Sequence, residues 1–276
     1  WVANNKPKEG YSITPQRSYR VYVKNHITVD IMGYPLKDES QRKITVNQGW
    51  NNIGYTPMVN LPVTTALADY AASDGDVVKS REEFATYTMT KTGEGYWSGS
   101  LQYMKPGEGY MLYHNGKDTV SFKYPYYEPG STFFESPVAE AKTAMQYGLT
   151  MSLAAEVNGV ETEEGDNLLA LNGAEVRGTA VLVDSVYYMS INGEANAKLM
   201  FAIERDGEII ATSATTMPFE ANSVIGSPIE PAAIDFNYAE SVVQGEGWYT
   251  IDGKKLSGKP AKSGVYVHDG KTLYVK

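Results

Sequence analysis

Hydrophobic and polar positions alternate along this chain in short runs punctuated by turn residues. Residues 168–171 and 175–183 flank Asn172 and Gly173, and residues 203–205 and 209–211 flank Asp206 and Gly207. Eight Asn-Gly or Asp-Gly pairs, starting at 74, 115, 158, 172, 192, 206, 252 and 269, fall mostly between runs rich in Val, Ile, Tyr and Thr. Such pairs supply the positive φ angles of two-residue hairpins, while β-branched and aromatic side chains suit a half-buried pleated surface. The pattern predicts a mainly β, antiparallel fold, with a hairpin at Asn172 and Gly173 that turns Leu169 and Leu171 inward and Glu175 outward. One helix is expected over 61–72: Asn60 caps it, Pro62 lies in its first turn, Val63, Leu67 and Tyr70 share a face, and Gly75 follows its end. Residues 137–145 have helix propensity without apolar periodicity, and 127–145 reads as a linker.

The chain also matches itself. Pro15, Tyr19, Tyr22, Thr28 and Val29 recur as Pro106, Tyr110, Tyr113, Thr119 and Val120, each pair 91 residues apart, and Tyr34 and Pro35 recur as Tyr124 and Pro125 after a one-residue slip. Residues 1–35 are then expected to close one repeat unit and 36–126 to form a complete one, within a β-rich repeat domain over 1–126. Seven or eight short strands over 146–237 predict a β-sandwich. Residues 238–276 follow as a tail whose Asp252/Gly253 and Asp269/Gly270 turns predict four short strands. Thirty-nine residues without metal or disulfide are too few for comfortable independent stability, so the tail should dock on its neighbour or be mobile.

Composition narrows the chemistry. The 276 residues are enough for about two domains. A net charge of −9 repels phosphate backbones and anionic lipid, which argues against nucleic acid as a partner. No apolar run approaches the length of a membrane-spanning helix. The absence of cysteine removes disulfides, thiolate zinc sites and cysteine nucleophiles. The opening at Trp1, with neither start methionine nor signal-peptide pattern, suggests a mature chain or a cut fragment.

His26, His114 and His268 each adjoin a turn residue and are expected at the surface. No HExxH, nucleophile elbow or paired-histidine spacing accompanies them, so no catalytic, cofactor-binding or metal-ligating residue is assigned. Thirty-three acids leave a carboxylate-pair glycosidase open on motif alone, but small β units joined by a linker offer no large scaffold for its cleft. The glycines around Glu94 and Glu108 lack the Lys-Ser/Thr of a phosphate loop and read as turns. The acidic stretch Glu161, Glu163, Glu164 and Asp166 could gather oxygen ligands for calcium, although a solvated loop is the favoured account. In aromatic pairs such as Tyr96/Trp97 and Trp248/Tyr249, strand alternation sends one ring of each inward. Trp50 and Trp97 are expected in the core. Tyr126 and Tyr127, in the linker, are the expected exposed ligand-contact aromatics.

Three stretches carry a family resemblance. Gly49-Trp50-Asn51-Asn52-Ile53-Gly54 followed by Met104-Lys105-Pro106-Gly107-Glu108-Gly109-Tyr110 resembles repeats in large secreted proteins of Bacteroidetes. The earlier copy, Thr14 to Tyr19, lacks both glycines of that turn. Gly165-Asp166-Asn167-Leu168, Arg177-Gly178-Thr179-Ala180 and Phe219-Glu220-Ala221-Asn222 look like the β domain that follows such repeats. Trp248 to Leu256, with Gly264 to Val267, is similar to the end of type IX C-terminal sorting domains. The resemblance implies the C-terminal part of a larger secreted or outer-cell-surface protein. Its expected role is non-enzymatic adhesion or display, with an extracellular protein or glycan ligand and contact with secretion machinery through the tail. The alternative is a carbohydrate-binding accessory region of a polysaccharide-degrading or peptidase protein.

Overall fold

A computed structural model describes residues 13–20, 36–127, 147–239 and 246–276. His26, the candidate helix 137–145 and nearly all of the 127–145 linker lie outside these residues. The fold is mainly β, and the chain divides into two compact units: Trp1–Arg81 with Ala85–Lys142, and Thr143–Lys276 with Glu82–Phe84.

Among the described residues, the first helix or strand of the first unit is α1 (Glu39–Arg42), a single turn capped by the Asp38 carboxylate, which accepts the Ser40 N–H at 2.9 Å. There follow β1 (Lys43–Val46), β2 (Gly49–Gly54), β3 (Leu61–Pro62), α2 (Val63–Ala66), β4 (Val77–Lys79), β5 (Phe84–Met89), β6 (Gly95–Gly99), β7 (Tyr103–Met104), β8 (Gly109–His114) and β9 (Val120–Lys123). A five-stranded sheet runs β2-β8-β4-β5-β6, and β1-β9 and β3-β7 form two small antiparallel ladders. Alternation holds here: in β8, Tyr110, Leu112 and His114 are buried while Met111 and Tyr113 are half-buried. Rings meet edge to face through the core, Tyr110 on Tyr55, Tyr55 on Tyr124, Tyr124 on Phe122 and Phe122 on Tyr70, with centroids 5.1–6.0 Å apart.

The helix expected over 61–72 is a four-residue turn. Leu61 and Pro62 pair instead with Met104 and Tyr103, Pro62 precedes α2 without a side-chain cap, and Leu67 leaves helical geometry at φ −99°, ψ 17°. Val63, Thr64 and Thr65 are β-branched and weak helix formers. The expected apolar face survives the loss, since Val63, Leu67 and Tyr70 are all buried.

The described part of the repeat is visible as duplicated geometry. The Arg17 N–H reaches the Thr14 carbonyl at 3.2 Å and, 91 residues on, the Glu108 N–H reaches the Lys105 carbonyl at 3.3 Å. The Tyr19 hydroxyl accepts the Thr14 N–H at 2.8 Å, and the Tyr110 hydroxyl accepts the Lys105 N–H at 2.7 Å. Gly107, at φ +80°, makes the second turn type II. Gln16 takes its place without a positive φ, so the glycine-free copy closes in type I fashion with the same bonds.

The second unit contains β10 (Leu149–Asn158), β11 (Asn167–Asn172), β12 (Glu175–Thr179), β13 (Val181–Val183), β14 (Val186–Gly193), β15 (Lys198–Arg205), β16 (Glu208–Ser213), β17 (Met217–Pro218), β18 (Val224–Ile225), β19 (Ala232–Tyr238), β20 (Trp248–Thr250), β21 (Gly264–His268) and β22 (Lys271–Val275). They join in one sheet whose main path is β12-β11-β15-β16-β19-β10-β14-β13. The sheet curls until β12 returns against β14, where a side chain on Gly178 would stand 2.9 Å from the Ser190 carbonyl oxygen. Met151, Leu153, Leu168, Ala170, Ile191 and Phe201 fill the interior.

The predicted β11–β12 hairpin is present, but Asn172 pairs with Glu175, so the turn is Gly173 and Ala174, one residue later than expected. Gly173 takes φ +60°, and Ala174 has no positive φ, the II′ pattern. Leu169 and Leu171 point away from the barrel-like interior into a second cluster with Ala202, Ile209 and Val265, the last contributed by the tail. Glu175 is half-buried. In the tail, β20, β21 and β22 form an antiparallel ladder, and residues 254–256 make only a bridge, Tyr249 to Lys255, in place of the fourth strand. The ladder docks through the Val265 N–H on the Ala174 carbonyl and the Tyr274 N–H on the Gly207 carbonyl, both at 2.8 Å, and through pairing of Leu273 with Glu208.

Candidate functional site

Two polar arrangements stand out, one buried and one open. In the first unit, Tyr70 after α2, Asp76 before β4 and His114 at the end of β8 converge inside the core, at 5%, 0% and 1% exposure. The Tyr70 hydroxyl donates to Asp76 Oδ2 at 2.6 Å and lies 2.7 Å from His114 Nδ1. Asp76 also accepts the Ser73 N–H at 2.8 Å and the Asn115 N–H at 2.7 Å. His114 Nε2 faces the Asp118 carbonyl at 3.0 Å, which can only accept, so this nitrogen carries a proton. Burial, with Asp76 beside it, raises the Tyr70 phenol well above its ordinary range. Gly116 closes the outer side: a methyl there would meet His114 Nε2 at 2.7 Å. The arrangement satisfies buried backbone donors and ties three segments together, with the imidazole almost wholly covered. The expectation of a surface His114 is therefore corrected. Strand parity carried the signal, because His114 shares the inward side of β8 with Tyr110 and Leu112.

The open site lies in the tail. Trp248 and His268 are cross-strand partners on β20 and β21, with ring centroids 4.3 Å apart. Trp248 borders two shallow cavities, of about 740 and 680 Å³. The first is flanked by Glu246, Lys255, Ser257 and Asp269, and the second by Asn167, Glu204, Asp206 and Lys259. The Gly247 N–H donates to Asp269 Oδ1 at 3.0 Å, holding the start of β20 against the β21–β22 turn. On the second side Glu204 is fixed, accepting the Asn167 amide at 2.6 Å and the Gly207 N–H at 2.5 Å. A half-buried indole between polar groups of both signs can stack on a flat apolar face and hydrogen-bond around its rim. The Trp248/Tyr249 pair was the only sequence signal for it.

Tyr126 and Tyr127 are half-buried. Tyr127 packs on the first unit's core, and the Arg42 guanidinium lies 5.0 Å from the Tyr126 ring centroid. Tyr126 lines a cavity of about 320 Å³ with Glu39, Arg42, Asp69 and Lys123. Trp97 packs on the first core and against Tyr87. Trp50, expected in the core, is half-buried outside that cluster, tilted on Tyr113 at 5.2 Å with Lys79 Nζ 4.6 Å from its ring. The acidic stretch is occupied by an arginine. Arg205 binds Asp166 through Nε and Nη2, both at 2.8 Å, and Glu163 through Nη1 at 2.7 Å. This hydrogen-bonded pairing holds the Asp166 carboxyl below its usual range. No group of three potential metal ligands occurs among the described residues. Comparison with known protein families, curated proteins and solved structures gave no match.

Proposed function

We propose that this chain is a non-enzymatic part of a larger secreted or cell-surface protein, in which repeated β units provide display and residues 238–276 serve export or attachment. The observation that carries the reading is the proline turn that recurs 91 residues apart with the same backbone bond and the same tyrosine acceptor. Modular duplication of this kind adds units that contact their neighbours, and binding then falls to loops held by rigid sheets. The motif resemblance to Bacteroidetes repeat and sorting regions points the same way. Fractionation of a type IX-secreting bacterium expressing the chain with and without residues 238–276 tests the export role. Surface delivery of the full chain and retention of the truncated one is the expected result, and equal delivery overturns it.

A second reading, glycan binding, is favoured by the Trp248 groove. Its test is a glycan array probed with the chain and with Trp248→Ala. Specific signals lost in the variant support it, while silence, or signals unaffected by the substitution, removes it.

A further inference from the structure

We infer that Gly54 and Gly109 form a socket for a proline turn, and that the partner this surface fits is another copy of the same 91-residue unit. The inference rests on the modular half of the reading above and is independent of export and of ligand binding.

Gly54 and Gly109 are directly opposed at the end of the β2–β8 ladder. Neither has a positive φ, so conformational freedom does not account for glycine at either place. Close approach does. A methyl on Gly54 would stand 2.0 Å from the Pro15 carbonyl oxygen and 2.9 Å from the Arg17 nitrogen, and one on Gly109 would stand 2.9 Å from Ser18 Cβ. The seated turn is bonded as well as packed: the Gly54 N–H donates to the Gln16 carbonyl at 2.9 Å, and the Ser18 hydroxyl donates to the Tyr110 carbonyl at 2.8 Å. The Gln16 side-chain amide adds a bond to the Gln41 carbonyl.

The occupant is the repeat's own turn. Thr14 to Tyr19 is the counterpart of Lys105 to Tyr110 by sequence register and by hydrogen bonding. The complete unit thus carries a socket at Gly54 and Gly109 and a plug at residues 105–108, whose Pro106 and Gly107 are exposed. Ser18 stands where the complete unit has Gly109. The earlier turn therefore presents a side chain where Gly109 presents none, and because one unit's turn sits on the next unit's glycine pair the contact is head-to-tail.

The test uses the whole chain. Trypsin cleavage at the Arg17–Ser18 bond reports whether the plug is seated. Gly54→Ala should speed that cut by about tenfold or more relative to the parent chain, since exposure of the bond then no longer waits on undocking. Ser18→Gly, which leaves the complete unit untouched, should also speed it, so the question survives if Gly54→Ala fails to fold. In a Tyr19→Ala chain, where the plug loses its own acceptor, a labelled peptide of residues 13–20 should bind more tightly than one of residues 104–110, which has Gly109 in place of Ser18, and Gly54→Ala on that background should abolish the binding of both. Equal cleavage rates in the parent and both variants, or no peptide binding to the Tyr19→Ala chain, would overturn the socket. Neither result bears on export or glycan binding.

Discussion

The two units solve the same problem, burying pleated sheet, in different ways. In the first, strands such as β1 alternate between exposed and buried positions while the short β4 is buried throughout, and the core mixes aliphatic side chains with Tyr70, Tyr110, Phe122 and Tyr124 around a buried carboxylate and imidazole. In the second, β11 buries four consecutive residues, Leu168 to Leu171, and β14 is buried along nearly its whole length. Continuous burial means that both faces are covered. The inner face of β11 meets the barrel-like interior. Its outer face meets the tail, through Val265 and the half-buried Tyr274. In the first unit the buried Asp76 carboxylate is held by three donors, whereas β11 of the second depends on whatever supplies its second layer.

The sharpest way to break this contrast is to remove residues 246–276. Leu169 and Leu171 would each lose burial worth about 2–3 kcal/mol, and a large apolar patch would open. Hydrogen exchange should show loss of protection across β11, β15 and β16 with β1, β2 and β8 unchanged, and light scattering should detect association of the truncated chain. Unchanged protection in β11 would mean that the tail is not its second layer. Next in size is Asp76→Ala, which strands the Ser73 and Asn115 N–H groups and removes one of the two partners of the Tyr70 hydroxyl. A cost of about 3–5 kcal/mol is expected, read as a lower denaturant midpoint for the first unit alone. Gly173→Val should cost about 1–2 kcal/mol by placing a β-branched residue at φ +60°. A methyl there would touch nothing, so the effect is one of backbone conformation and should be confined to the second unit.

The last test is a pH slope belonging to the first unit. Burial, with Arg20 nearby as a lesser cause, pushes the Lys79 ammonium down to about 8 from an unfolded value of 10.5. Between those values the unfolded chain binds more protons than the folded one, so this group's contribution to stability rises with pH. Below pH 8 both states are protonated and the penalty is constant. Lys79→Met should flatten the slope of melting temperature against pH across this window, and a slope identical to the parent's would show that Lys79 is not its source.

Much of this fold was legible in turn chemistry. Asp206/Gly207 and Asp269/Gly270 both take two positive φ angles and join paired strands, as their sequences predict. The failures have physical causes. Asp184 and Ser185 make the same kind of turn without glycine, leaving no composition signal. Asn192 and Gly193 resemble a turn yet end β14, where the Phe219 ring lies over Gly193 at a distance that excludes a side chain. The 61–72 segment carried helical spacing, but pairing of Leu61 with Met104 took its first residues into a ladder. For the candidate sites, the tryptophan was visible and its polar surroundings were not, because Asn167, Glu204 and Asp206 reach it from strands distant in sequence.

The clustering of Leu169 and Leu171 with Val265 sets an order of events during synthesis. Roughly a hundred residues of chain must be made after these leucines before their covering partner exists. The first unit can close while that stretch is still emerging, but the second must wait with an apolar face open. That interval is when a factor that binds exposed apolar strands can reach Leu169 and Leu171.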